Sequence, residues 1–533
     1  MIKCNIKNLI PNPSPQEKGV KVLSCGEDLG EVFLGNNSLL TYFKTPTRLA
    51  PTSPRKWGGS FKTMIKKNIV FYIITFIAFN SQAQDVIKTL NAEQVLALVR
   101  QFHPVVRQTT IEIEKSKAEI LLARAAFDPI LSNYVARKTF NGTNYYNDFS
   151  PEIKIPTWYG VELVGGLENL SGNRLDPSST NGKTSYLGVS IPLAKNLVID
   201  KRRAFLQQAK IFNTMAEVEQ RAVINDLLMN AAEAYWNWVK AYQTFVVVKN
   251  NVEINQKRVE FVRKSFTNGE RAAIDTVEAV AQLQSFQYQQ NQNWVEFQNA
   301  GLQLSAFLWK NNNEPYLLPE GVIPQNGWEN ETNIVNFNLI LTDLLVLAEN
   351  NHPNLQLYGF KLDVLGIDKK LKFQELLPKI DFKYNQLSKG YNLFETASAG
   401  PLFQNNFQYG LKIEVPLRFS QGRGEYKKAK LKIEETTLDQ NQKKLQIQLK
   451  IKSYYNEFLN LKAQIALQSN NFNNYQALVR AEETKLLNGE STLFLINSRE
   501  NKALEALEKL VELKTKYYKT IYSLQWSAGL LQQ

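Results

Sequence analysis

One passage of this chain is written twice, and the repetition limits the fold more than any single motif does. The first copy opens at His103-Pro104 and reaches Asp128-Pro129; the second opens at His352-Pro353 and reaches Leu377-Pro378, each over an interval of 26 residues. Further on, Ser190-Ile191-Pro192-Leu193 is answered by Glu414-Val415-Pro416-Leu417, and Asn268-Gly269-Glu270 by Asn488-Gly489-Glu490. From Ala209 onward the offset between the copies is a constant 220 residues. A chain of 533 residues could hold several unrelated domains, but this one is a tandem pair of a single architecture.

The organisation that follows is an extension over 1–63, a signal peptide over 64–84, a first repeat over 85–310, a linker over 311–338 and a second repeat over 339–533. Met64-Ile65-Lys66-Lys67 is a short basic start, Ile69 to Phe79 is apolar, and Ser81-Gln82-Ala83 supplies small residues where export processing needs them. That apolar stretch is too short to span a bilayer. Residues 1–63 stand upstream of a complete signal and show neither helical nor strand period, so Met64 is expected to be the functional start.

Removing the leader changes the charge argument. The chain carries 63 basic and 50 acidic side chains, of which 11 and 4 lie in residues 1–84, leaving 52 and 46 for residues 85–533. The surplus that would suggest nucleic acid therefore belongs largely to the removed part, and no nucleic-acid partner is expected. Both cysteines, Cys4 and Cys25, precede the signal, so the exported chain holds none. This suits an oxidising compartment and removes thiolate chemistry.

Each repeat begins with an amphipathic helix interrupted at His-Pro, with Asn91 and Thr342-Asp343 as the expected caps. The two histidines are read as C-terminal helix positions where a cation suits the helix dipole, rather than as ligands or proton sites. After Pro129 and Pro378 the period changes from 3.6 to 2. Strands are expected around Ile130 to Arg137 and Tyr186 to Ile191 in the first copy, and around Ile380 to Asn385 and Tyr409 to Val415 in the second. Strands of about ten residues with one apolar face suit a lipid-facing barrel, although a half-buried soluble sheet has the same pattern. Pro129 to Pro192 spans 63 residues against 38 from Pro378 to Pro416, and the 25 extra are expected to form a longer surface loop with room for its own hairpin.

Proline-free tracts then run from about Asp200 to Phe266 and from about Gly424 to Leu487. Leu227, Ala231, Ala234 and Trp238 in one, and Ile447, Ile451, Tyr454 and Phe458 in the other, step by three or four. Roughly 65 helical residues make a rod of about 100 Å. Asn268-Gly269 and Asn488-Gly489 turn the chain back, giving two long antiparallel hairpins.

These features resemble the TolC-like outer-membrane efflux protein family. The most specific local match is Phe266-Thr267-Asn268-Gly269, with Asp275 and Ala279 six and ten positions past the glycine. The resemblance implies a mainly α protein with a transmembrane β portion, in which each chain gives four strands to a twelve-stranded barrel shared by a homotrimer. It implies an outer-membrane exit duct that reaches into the periplasm and passively conducts substrates handed over by a periplasmic adaptor and an inner-membrane pump. Four strands cannot close a useful bore, and open edges cannot stand in lipid, which is why such a chain needs its copies.

In the family, the second repeat's tip carries the charges that hold the entrance closed. Here those positions are Ser491, Leu495 and Ser498, while the first repeat has Arg271, Asp275 and Glu278. A charged latch, if built, is therefore expected from those three, and adaptor contact from the turns at Asn268, Gly269, Asn488 and Gly489. No cofactor, metal site or catalysis is expected. Gly422-Arg423-Gly424 lacks the setting of a phosphate loop, and the adjacent acids Glu434-Glu435 and Glu482-Glu483 point apart on helices. The competing reading is a periplasmic coiled-coil adaptor or scaffold, which should carry one hairpin and compact β domains.

Overall fold

The structure is a computed structural model that describes residues 89–532 apart from 177–178, 312, 320, 326–338 and 398–400. The chain divides into two units, Met1–Gln82 and Ala83–Gln533, and every described residue belongs to the second. The extension, the signal peptide and the later part of the linker lie outside the described residues.

The first copy runs β1 (Thr89–Leu90), α1 (Ala92–Phe102), α2 (Pro104–Ala125), β2 (Ile130–Phe140), β3 (Thr143–Pro156), β4 (Glu162–Ser171), β5 (Gly182–Pro192), α3 (Lys201–Thr267) and α4 (Ala273–Ser305). After β6 (Ile323–Pro324) the second copy runs α5 (Leu341–Asn351), α6 (Pro353–Gln374), β7 (Lys379–Lys389), α7 (Leu393–Ala397), β8 (Phe407–Glu414), α8 (Ser420–Leu487) and α9 (Leu493–Ser527).

The rods α3 and α8 are 67 and 68 residues long. Each packs against a 22-residue helix along its first half and against the returning helix along its second. Side by side, the helices fall in the order α2, α3, α6, α8 near the strands and α4, α3, α9, α8 towards the turns, so the layer is four helices wide throughout. The stripes read from the sequence line the cores. Leu227, Leu228, Ala231 and Trp238 meet Phe297 and Leu304, while Ile447, Ile451, Phe458 and Leu461 meet Leu513, Tyr517 and Leu524. The linker's β6 lies parallel to β1, and Val322 joins the first core beside Leu90.

The break at each His-Pro is made differently from the expectation of a dipole-bound cation. His103 ends α1 and caps α2, its Nδ1 accepting from the Val105 N–H at 3.2 Å; His352 does the same for Asn354 at 3.1 Å. An accepting Nδ1 is unprotonated, so the work is that of a neutral N-cap followed by a proline at N1. Burial lowers the pKa of both, and that of His352 falls to about 4, with Lys443 adding to the shift. At the start of the second copy, Ile340 is the N-cap and no side chain caps the helix; Thr342 and Asp343 lie inside its first turn.

All the long strands form one antiparallel sheet in the order β2-β3-β4-β5-β7-β8. The four expected strands are β2, β5, β7 and β8. The 25 extra residues supply two more, β3 and β4, inserted between β2 and β5 rather than looping over the surface. A two-residue turn joins β2 to β3, with Asn141 and Gly142 both at positive φ (47° and 72°), the conformation that matches the twist of paired strands.

Candidate functional site: a two-faced sheet above a charged helical tip

Cross-strand register sorts the sheet into two chemically distinct faces. Leu131, Ile153, Gly165 and Leu187 lie opposite one another in neighbouring strands, and so do Ile155, Leu163, Val189, Tyr384 and Tyr409. Phe382, Leu411, Ile380 and Ile413 continue that face. The other face pairs Ser132 with Glu152, Pro156 with Glu162, Ser190 with Lys383, and Asp381 with Lys412. Salt bridges lie along it: Lys154 meets Glu152 at 2.9 Å and Lys379 meets Asp381 at 3.4 Å within their strands, and Arg202 of α3 meets Glu162 at 2.9 Å. An apolar face backed by a face of paired charges is what a strand needs between lipid and a wet lumen.

Trp158 and Tyr159, exposed in the turn between β3 and β4, stand at the end of the sheet nearest the helices. Phe403, Phe407 and Tyr409 cluster towards the far end. Aromatic rings at both ends of an apolar band mark the two membrane interfaces of such barrels. Among the described residues no helix is long and apolar enough to cross a membrane.

At the opposite end of the rods, both hairpin turns close by the same device. The Glu270 N–H donates to the Ser265 carbonyl at 2.9 Å and the Gly269 N–H to Phe266 at 2.9 Å; Glu490 and Gly489 repeat this with Lys485 and Leu486. Gly269 and Gly489 sit at φ of 78° and 77° with open space where a Cβ would stand, so glycine is required by backbone conformation alone. Asn268 and Asn488 are the C-caps.

The structure brings the three charged tip residues to the seam between the two hairpins. Arg271 lies 3.6 Å from Asp275 and also donates to the Leu486 carbonyl at 3.2 Å, at the end of α8. It thus neutralises the negative end of the other copy's rod. Glu278 accepts from Asn497 Nδ2 on α9 at 3.1 Å. Below them is an apolar layer of Val259, Val262, Leu486, Leu493 and Ile496, drawn from both copies.

One turn deeper lies a constellation outside the motifs of the sequence. Arg258 on α3 makes a forked pair with Glu500 on α9, with both side chains more than nine-tenths buried; Asn255 reaches the same carboxylate and Glu483 of α8 stands 3.4 Å from the guanidinium. A second apolar layer, Val248, Val252, Phe286 and Leu504, follows on its far side. The sequence does carry a signal for this pair. At the 220-residue offset Arg258 corresponds to Leu478 and Glu500 to Val280, so each copy substitutes a charge where the other keeps an apolar residue.

The family model described as "Outer membrane efflux protein" matches residues 95–308. Residues 95–308 belong to the outer membrane efflux protein family. No curated protein matches the chain by sequence. Among solved structures, the outer membrane channel CmeC of Campylobacter jejuni is similar over 82% of this chain and 85% of its own, at 15% identity and a TM-score of 0.59. The open state of the outer membrane channel MtrE of Neisseria gonorrhoeae is similar over 82% and 88% at 12% identity, with a TM-score of 0.58. VceC, an outer membrane protein of Vibrio cholerae, is similar over 82% and 96% at 14% identity, with a TM-score of 0.56. Likeness at these identities is likeness of fold, and it extends the TolC-like architecture beyond the matched segment. The matched segment is thus similar to proteins of the outer membrane that serve efflux.

Proposed function

We propose that the chain is the exit duct of a tripartite efflux or type I secretion system, acting as a homotrimer that conducts passively what an inner-membrane pump and a periplasmic adaptor deliver. The observation that carries this reading is the coupling of a two-faced sheet to two matched hairpins whose tips are drawn together by charge. An adaptor or scaffold working in the periplasm would have no use for an apolar sheet face of this extent.

In this reading the sheet crosses the outer membrane, the rods enclose a tunnel through the periplasm, and the tips close its entrance. Arg271, steadied by Asp275, and Glu278 join the first hairpin to the second, so separating them opens the entrance; the turns at Asn268-Gly269 and Asn488-Gly489 are the surface offered to the adaptor. No chemistry is required of any residue, because the pump supplies the energy. In planar bilayers, the double variant Arg271→Ala, Asp275→Ala should open at lower voltage and lose cation preference. Unchanged opening and selectivity would remove these residues from the gate. Recovery of the exported protein in the soluble periplasmic fraction would overturn the duct itself.

A further inference from the structure

We infer that three copies of this chain close an eighteen-stranded barrel rather than a twelve-stranded one, with β2 of each copy paired to β8 of the next. The inference rests on the homotrimeric duct proposed above and concerns the surface by which one copy takes the next.

Among the described residues the sheet ends in two unpaired edges, β2 and β8. Nearly every residue of β2 and β8 is exposed on both faces, among them Leu131 at 77% and Ile413 at 58%. Both edges carry residues of the apolar face, so the edges lie in the layer that lipid would surround, where an unpaired backbone N–H or C=O costs several kcal/mol. A second copy is the occupant that removes this cost for both edges at once. Strand direction permits it: the sheet is antiparallel throughout and has an even number of strands, so β8 meets the neighbouring copy's β2 antiparallel.

The same two flanks run the length of the molecule. β2 continues from α2, β8 leads into α8, and α2 and α8 are the outer members of the four-helix layer near the strands. Both carry exposed leucines on that flank, including Leu121 at 69% and Leu438 at 64%. One continuous seam would therefore join neighbouring copies through sheet and helices alike.

Width favours six strands per copy over four. Four helices spaced about 9 Å apart occupy about 36 Å of circumference. Six strands spaced about 4.8 Å and tilted about 40° occupy about 38 Å, whereas four occupy about 25 Å. With β3 and β4 in place the barrel is as wide as its helical stem, so the duct does not narrow where it enters the membrane. Barrels of 16–18 strands leave an open aqueous channel. The short helix α7 stands off the bore, because its Thr396 lies 2.9 Å from Ser185, on the apolar, outward face.

Residues 85–533 contain no cysteine, so introduced pairs report cleanly. Full-length exported protein would carry Ser132→Cys, Asn133→Cys or Tyr134→Cys together with Tyr409→Cys, Gly410→Cys or Leu411→Cys, be oxidised in the membrane, and be run under denaturing conditions without reductant. The proposal expects covalent trimers from at least one pair, and top views by electron microscopy of a barrel about 1.5-fold wider than a twelve-stranded one. Trimers in which β8 cross-links instead to β4, tested with Leu163→Cys or Leu167→Cys, would mean four strands per barrel share; the eighteen-stranded closure would fall and the trimeric duct would stand. Covalent dimers joined β2 to β8 would overturn both the strand number and the trimer. A chain that stays monomeric in native mass spectrometry would overturn the duct reading as well.

Discussion

The two copies fold alike but are not equivalent, and their differences collect at the two ends of the molecule. At the membrane end the first copy gives four strands and the second gives two. At the tip the first copy supplies Arg258, Arg271 and Glu278, while the second supplies Glu500, the end of α8 and Asn497 as their partners. Between the ends, the rods and their apolar stripes stay matched, and at the tip the two glycine turns close in the same way. The middle of a duct needs only uniform walls, so duplicated sequence can persist there, whereas the ends must recognise something. The polar layer shows how the copies became specific to each other. An Arg-Glu pair between two apolar layers penalises sliding of one hairpin along the other by a turn, because each charge would then be buried unpaired.

That layer gives the largest expected effect. Arg258→Ala or Glu500→Ala leaves a buried charge without its partner, a loss of about 3–5 kcal/mol. The double variant Arg258→Leu, Glu500→Val installs the residues found at the corresponding positions of the other copy, Leu478 and Val280. It should recover most of the thermal stability lost by either single change, since an apolar replacement of a buried pair is often neutral or stabilising. If the pair serves only stability, bilayer conductance of the double variant will match the parent; if it also sets register, the double variant will be stable and leaky.

The legibility of the chain follows the same division. The hairpins could be read because 3.6-residue periodicity over long proline-free tracts has no other physical meaning, and because the offset of 220 repeated it. The inserted strands could not, for local reasons. Pro151 and Pro156 fall within β3, where proline argues against a paired strand, and Gly165-Gly166 interrupts β4. Tertiary packing compensates for the glycines: a Cβ on Gly166 would stand 2.4 Å from the Tyr186 ring, whose hydroxyl donates to Glu152 at 2.7 Å. Tyr186 thus fills the space that the glycine leaves, an exchange visible only once the strands are neighbours. At the tip, the placement of Arg271, Asp275 and Glu278 just past the glycine turn is legible from position, but the Arg258-Glu500 pair depends on which faces of α3 and α9 meet.

The His-Pro breaks offer a second comparison, expected to matter under acid. His352 is buried against Asp226, Trp526, Lys443 and Lys450, whereas His103 is half-buried beside Phe307 and Trp309. With His352 held near a pKa of about 4, against about 6.5 in the unfolded chain, the unfolded state binds the extra proton first. Its contribution is therefore intact above pH of about 6.5 and declines as the pH falls towards about 4, by about 1.4 kcal/mol for each unit of separation. His352→Asn keeps a capping acceptor without a titrating group, so it should change stability little at neutral pH and flatten the acid limb of a melting profile. His103→Asn should flatten it less. Equal effects from the two would show that burial does not govern the difference.

The smallest effect expected concerns how each rod begins. Asp200 caps α3 by accepting from the Arg203 N–H at 2.8 Å, and Asp200→Ala should cost about 1 kcal/mol. The second rod has no side-chain cap, and the residue before it, Phe419, is held at φ 49° and ψ 23°, a left-handed conformation that costs a residue bearing a Cβ about 1–2 kcal/mol. Glycine removes that cost while losing more entropy on folding, so Phe419→Gly should be neutral to stabilising by less than about 1 kcal/mol. Chemical denaturation should then show a loss of stability for Asp200→Ala and none for Phe419→Gly. A marked loss from Phe419→Gly would mean that the ring makes a contact important enough to hold the backbone there, and the neighbouring copy, which would lie against this flank beside β8, is where that contact would be sought.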